Sequence, residues 1–246
     1  MIQITRQKYR IVLAFILLVS GASIQAQDDA AFFADKAVGL SEGTRLTLAR
    51  DSLRAAQTMI DKGESQGKAL DQLLLTKAYD PDLAQVEFEL GRLYESWQVG
   101  LRARALVHYE AFIKLRPRDS RGLTHLANLY AWLGRLEEAD ATFRLALAAE
   151  TKNASWTKYQ YSGFLVAYTD RYAEAHELAR DALESMSPQD RENDPWPWRN
   201  KGMALAREGV RKDQARSDLE KARSIFQKYN DTWQISYINV ALEELK

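Results

Sequence analysis

The stretch LANLYAWLGRLEEADATFRLALA, from Leu126 to Ala148, decides the fold. Two small residues, Ala127 and Ala139, sit where two helices must cross closely, and the larger Tyr130 and Phe143 fill the space beside them. Gly134 between the halves supplies the left-handed backbone that ends the first helix. The pattern recurs along the chain. A small residue stands at Gly91, Ala127, Gly163 and Gly202, at intervals of 36, 36 and 39 residues. An alanine follows it in each copy, at Ala105, Ala139, Ala175 and Ala215, at intervals of 34, 36 and 40. A repeat of this length holding two helical stretches is the signature of stacked helical hairpins. The expected fold is therefore all-α, a solenoid of about five helix-turn-helix hairpins with a C-terminal capping helix. Its expected work is binding rather than chemistry.

Working outward from the central copy, hairpins are expected at about 45–79, 82–116, 120–151, 156–187 and 195–229, within one domain spanning 44–246. The first follows the stripe Leu46, Ala49, Leu53, Ala56 and Ile60, whose steps of three and four residues line one helix face. Gly63 and Gly67 are expected to break it, and Asp80-Pro81 to open the next helix as cap and first turn. A capping helix is expected over 232–245, with Asp231 and Gln234 at capping-box spacing. Residues 27–43 read as a flexible start or a short helix docking through Phe32 and Phe33.

Residues 1–26 have a different character. Arg6, Lys8 and Arg10 precede the apolar run Ile11–Val19, and small and polar residues lead to Ala26. This is the layout of a secretory signal peptide, with cleavage after Ala26 or Ala22. The run is too short to span a bilayer, which needs about 20 apolar residues. The expected location is periplasmic or secreted, the alternative being an anchor formed by an uncleaved leader. With no cysteine, neither a disulfide nor a lipid on an N-terminal Cys is available to the chain. Taking the three leader cations from the 34 basic residues leaves 31 against 34 acidic ones. That balance argues against nucleic acid and against a purely electrostatic hold on an anionic membrane.

The copies resemble the tetratricopeptide repeat (TPR), most closely through Leu123, Ala127, Tyr130, Gly134, Ala139, Phe143 and Ala146. A second set is Tyr159, Gly163, Val166, Ala175, Ala179 and Ala182, with Asp170 where glycine is usual. The resemblance covers roughly residues 45–246. It implies that the first helix of each hairpin lines a concave groove taking a protein or peptide segment. Carried over residue by residue, the groove candidates are Phe88 and Arg92, then Arg121, Thr124 and Asn128, then Gln160 and Phe164, and last Trp196, Arg199 and Met203. The arginines suit carboxylates, while Phe164, Trp196 and Met203 suit apolar side chains. The carboxylate clamp of some family members is not reproduced, since Phe88, Thr124 and Gln160 occupy slots that do not fit it.

Other motifs carry little chemistry. In the run DPWPW, Asp194 to Trp198, Trp198 falls at a core position and Trp196 toward the groove. Trp156 is expected to pack on the third hairpin. His108, His125 and His176 lack metal-ligand spacing, and no nucleophile elbow or phosphate loop occurs. No catalytic residue, metal or cofactor is assigned. The expected function is an exported interaction module or assembly scaffold of the cell envelope. One rival is a structural protein that forms a homodimer through the last helix, which is apolar over a wide arc. The other is an envelope glycan-processing enzyme on a helical scaffold, for which the expected groove supplies a single acid, Glu95.

Overall fold

The computed structural model describes residues 33–97, 101–150 and 155–246. The expected signal peptide, with its alternative cleavage positions after Ala26 or Ala22, and Phe32 lie outside them. Regular structure among the described residues is entirely helical, and none of these helices is long and apolar enough to cross a membrane. Where the sequence suggests one domain, the chain divides into two compact units, one ending at Pro117 and the other spanning Arg118–Lys246.

The first unit contains α1 (Glu42–Asp61), α2 (Gln66–Tyr79), α3 (Ala84–Trp97) and α4 (Arg102–Leu115), each packed against the next. A 3-10 turn at Asp35–Ala37 lies against α2. The Ser41 hydroxyl accepts from the Thr44 N–H at 3.2 Å and caps α1. Of the stripe expected on α1, Ala49 and Ala56 are buried and Leu46 is exposed. Two local expectations are corrected. Gly63 does end α1 with a positive φ, but Gly67 lies inside the first turn of α2. Asp80 closes α2, its N–H bonding to the Thr76 carbonyl at 2.9 Å, and α3 starts only at Ala84. The Asp-Pro pair therefore makes the connecting turn rather than the helix start.

The core of this unit explains why Gly91 must be small. A Cβ there would stand 2.6 Å from Cε1 of the buried Tyr109 ring. Phe88 completes the cluster, its ring 5.9 Å from Tyr109 and 5.1 Å from Phe112 between centroids. The buried Glu87 joins α2 to α4. One carboxylate oxygen meets Lys77 Nζ at 2.7 Å and the other meets His108 Nδ1 at 2.7 Å.

The second unit contains α5 (Ser120–Trp132), α6 (Leu136–Ala149), α7 (Ser155–Tyr168), α8 (Tyr172–Ser185), α9 (Pro188–Asn193), α10 (Trp196–Glu208), α11 (Lys212–Lys228) and α12 (Thr232–Glu244). Helices α5/α6, α7/α8 and α10/α11 form hairpins. Helix α7 packs on α5 and α6, α10 on α7 and α8, and α12 on α11. Gly134 has φ +77°, as the turn after α5 requires. The alanines read as crossing points, Ala139, Ala175 and Ala215, are all fully buried. Gly202 shows the reason most plainly. A Cβ there would fall 2.8 Å from Leu219 Cγ and 3.0 Å from the Ala215 carbonyl oxygen, so α10 meets the backbone of α11.

A polar node ties consecutive hairpins together. The Tyr161 hydroxyl on α7 and the Arg171 guanidinium before α8 both donate to Asp140 Oδ1 on α6, each at 2.6 Å. Arg171 also reaches the Tyr161 oxygen at 2.9 Å, and Arg144 Nε donates to Asp140 Oδ2 at 3.1 Å. Desolvation pushes the Asp140 carboxyl up, but the hydrogen bonds from Tyr161, Arg171 and Arg144 outweigh it and hold the group below its usual range.

Helix α9 is not foreseen from the sequence. Ser187 caps it by accepting from the Asp190 N–H at 3.1 Å, and Pro188 occupies its first turn. At the end of the chain, Asp231 Oδ1 accepts from the Gln234 N–H at 3.1 Å and caps α12. Ile238, Ala241 and Leu242 of α12 are buried, whereas Trp233 and Val240 are 67% and 61% exposed. The wide apolar arc of this helix thus serves both packing and an open face.

Candidate functional site

The sequence-derived groove candidates divide between the two units and differ in accessibility. In the first unit, the Phe88 ring is consumed by the core, and burial takes it out of contact with any guest. Arg92 bridges Glu89 and Asp61, donating to each at 2.9 Å. Its charge is already matched internally.

In the second unit the first helices of the hairpins are α5, α7 and α10. Thr124 is fully buried, with its hydroxyl 3.1 Å from that of Thr157 and donating to the Ser120 carbonyl at 2.8 Å. One turn along, Asn128 Nδ2 donates to Gln160 Oε1 at 3.1 Å. These two pairs form a short polar ladder between α5 and α7. Arg121, at the start of α5, is exposed. Phe164 is buried, its ring 5.4 Å from Phe143 and 5.6 Å from Tyr168. Met203 is buried in the same apolar cluster. Phe164 and Met203 therefore support this face from beneath. Helical spacing assigned them correctly to the first helices but could not show which neighbouring helix covers them.

Arg199 has an unusual setting. Its guanidinium lies 5.5 Å from the Trp196 ring centroid and 4.9 Å from that of Tyr237 on α12. It donates to Asn200 Oδ1 at 2.9 Å, and its Nε has no partner. Burial, together with the nearby charge of Arg207, pulls its pKa below the ordinary arginine value.

Trp196 is 38% exposed and lines a concavity of this unit. The cavity measures about 640 Å³. Ser155, Trp156 and Tyr159 come from the start of α7, and Met186, Asp190 and Asn193 from the segment that carries α9. Asp194, Pro195 and Trp196 enter at the head of α10, while Phe226, Tyr229 and Asp231 enter at the end of α11 and the turn after it. Trp196 meets Phe226 edge to face at 5.3 Å. Trp156 lies 5.1 Å from the His125 ring on α5, so it both packs on the third hairpin, as expected, and lines the cavity.

The polar groups of this cavity are fixed in place. Asp194 Oδ1 accepts from the Trp196 N–H at 3.0 Å, and the Tyr159 hydroxyl also donates to that carboxylate. Burial raises the Asp194 carboxyl above its usual range, and the neighbouring Asp190 charge pushes in the same direction. Tyr159 is pushed well above the ordinary phenol range, chiefly by burial and then by the Asp194 charge.

Of the residues assigned to the groove from sequence, Trp196 alone lines this cavity. The aspartates carry no sequence signal of a shared site, because Asp190 lies on α9, Asp194 follows it and Asp231 caps α12. The DPWPW run was the one sequence signal pointing there. Among the described residues, no group of three or more His, Cys, Asp or Glu side chains is arranged to hold a metal ion.

Solved structures share this fold. MamA matches with a TM-score of 0.56 and 16% identity, over 74% of this chain and 93% of that one. A MamA RS-1 ArsTM double mutant matches with a TM-score of 0.57 and 15% identity, over 75% and 97%. YrrB, a TPR protein with an unusual peptide-binding site, matches with a TM-score of 0.51 and 22% identity, over 70% and 88%. At such identities the likeness is one of fold, and the fold is TPR-like. No protein-family model matches the chain, and comparison with curated proteins gives no match.

Proposed function

We propose that this chain is an exported, non-enzymatic interaction module or scaffold of the cell envelope that binds a segment of another protein. The observation that carries the reading is the aromatic concavity of the second unit, where the half-open Trp196 borders a cavity of about 640 Å³. That size suits a few side chains of a guest segment, since ligand sites run from about 300 to 1,000 Å³. The peptide-binding site of YrrB lends support from a protein of similar fold. The envelope location rests on the cationic and apolar leader. In-cell photocrosslinking tests the proposal, with the crosslinker at Trp196 or Arg121 and the exposed Lys68 on α2 as control. A discrete partner band is expected from Trp196 and Arg121 and not from Lys68. No band, or equal bands at all three sites, would overturn it.

Self-association is a second reading, favoured by the open face of α12. Trp233 and Tyr237 stack there with ring planes 2° apart, and Val240 stands exposed beside them. An apolar patch of this kind is uncommon on a monomer. On this reading sedimentation finds a dimer that Trp233→Asp abolishes. A monomer at every concentration would sink it.

A further inference from the structure

The geometry points to a cation-accepting cavity in the second unit: the guest inserts a lysine or arginine side chain between Trp156, Trp196 and Tyr229, toward Asp190, Asp194 and Asp231. The inference rests on the interaction-module reading and names the chemistry of its guest.

Three independent features agree. First, the carboxylates of the cavity have no ion-pair partner, although each is supported by a hydrogen bond at a helix start. Several buried or half-buried carboxylates elsewhere meet cations, as Glu87 meets Lys77, Asp140 meets Arg171 and Asp218 meets Lys201. Among the described residues, none of Asp190, Asp194 and Asp231 has a Lys or Arg within 4.0 Å, the limit of an ion pair. Arg199 touches the Trp196 ring but reaches none of the three. Their contacts are to uncharged donors instead: the Ser187 hydroxyl at 2.6 Å for Asp190, the Trp196 N–H for Asp194 and the Gln234 N–H for Asp231.

Second, the walls are aromatic. The negative face of an indole or phenol ring attracts an alkylammonium or guanidinium group, and the apolar stem of the side chain gains from the same contact. Met186 adds a polarizable surface to that wall. An anionic guest would meet the repulsion of three carboxylates, and an uncharged one would leave them unmatched.

Third, these carboxylates do not converge as metal ligands do. They are spread around an open space, which suits an organic cation whose charge is carried on a long stem. A guanidinium or ammonium group can approach one aspartate while its methylenes lie along the rings.

The test follows the indole N–H signals of Trp156 and Trp196 by NMR in the full, isotope-labelled chain at low salt. The probes are Ac-Gly-Lys-Gly-NH2 and Ac-Gly-norleucine-Gly-NH2, which share an apolar stem but differ in charge. Saturable shifts of both indoles are expected with the lysine peptide, weakening as salt rises, with the norleucine peptide binding roughly fivefold or more weakly. Asp194→Asn and Trp196→Ala should each weaken the lysine peptide by about fivefold. If Asp194→Asn disturbs the head of α10, the two-peptide comparison in the unaltered chain still decides the matter. Equal shifts from both peptides, or none from either, would overturn the cationic assignment. A crosslinked partner at Trp196 under either outcome would leave the interaction-module reading standing, whereas a missing crosslink beside lysine-selective shifts would count against that reading and leave the cationic assignment in place.

Discussion

Phe143→Ala is expected to cost the chain about 3–5 kcal/mol of unfolding free energy, the usual range for emptying a buried aromatic site. The Phe143 ring is fully buried between Tyr161, at 5.1 Å, and Phe164, at 5.4 Å. The packing is nearly parallel on one side, with an interplanar angle of 17° to Tyr161. Both neighbours are held from elsewhere, Tyr161 by its bond to Asp140 and Phe164 by Tyr168. The site therefore cannot collapse to fill the space, and the cost should fall toward the upper part of the range. Urea denaturation followed by circular dichroism measures it. Leu145→Ala, two residues along the same helix and 59% exposed, should change stability by no more than about 0.5 kcal/mol. Equal effects from the two substitutions would contradict the assignment of Phe143 to the core.

The second large effect belongs to Glu87 in the first unit. Desolvation raises the pKa of this buried carboxyl, but the hydrogen bonds and charges of His108 and Lys77 outweigh it and hold the group at about 2. The folded value lies below the ordinary 4.5. The stabilisation is therefore complete above pH 4.5 and is lost as the pH falls toward 2. A shift of that size corresponds to roughly 3 kcal/mol. Glu87→Gln should destabilise the chain by about this amount at neutral pH, because it leaves the buried His108 without its charged partner. The difference between Glu87→Gln and the unaltered chain should narrow steadily below pH 4.5. Urea midpoints at pH 7, 5, 4 and 3 test this, and a difference independent of pH would refute the role given to the carboxylate.

The repeat was legible where one residue type has one physical use. Ala105, Ala139, Ala175 and Ala215 mark helix crossings in the sequence and are fully buried in the structure. Gly134 announces a left-handed turn, and Asp231 announces a cap. Register along a helix, however, says only which face a residue occupies. Thr124, Phe164 and Met203 lie on the first helices, but the helices packed against them determine that they are buried. Local chemistry with two uses misleads at Asp80-Pro81, where cap-and-start and turn share the same residues and the structure uses the turn. The cavity was the least legible feature. Its walls come from α7, α9, α10 and α11, and α9 is only six residues long and lies outside the repeat. No single window of sequence contains Trp156, Asp194 and Tyr229 together.

The node at Asp140 bears on how the second unit melts. In a stack of hairpins, stability is approximately the sum of each hairpin's own term and the coupling to its neighbour. One carboxylate oxygen that receives both Tyr161 and Arg171 concentrates that coupling at a single atom between α6 and the α7/α8 hairpin. Neither hairpin can fray there without stripping donors from a partly buried charge. The two are therefore expected to open together rather than peel apart in sequence, which native-state hydrogen exchange would show as a shared opening free energy.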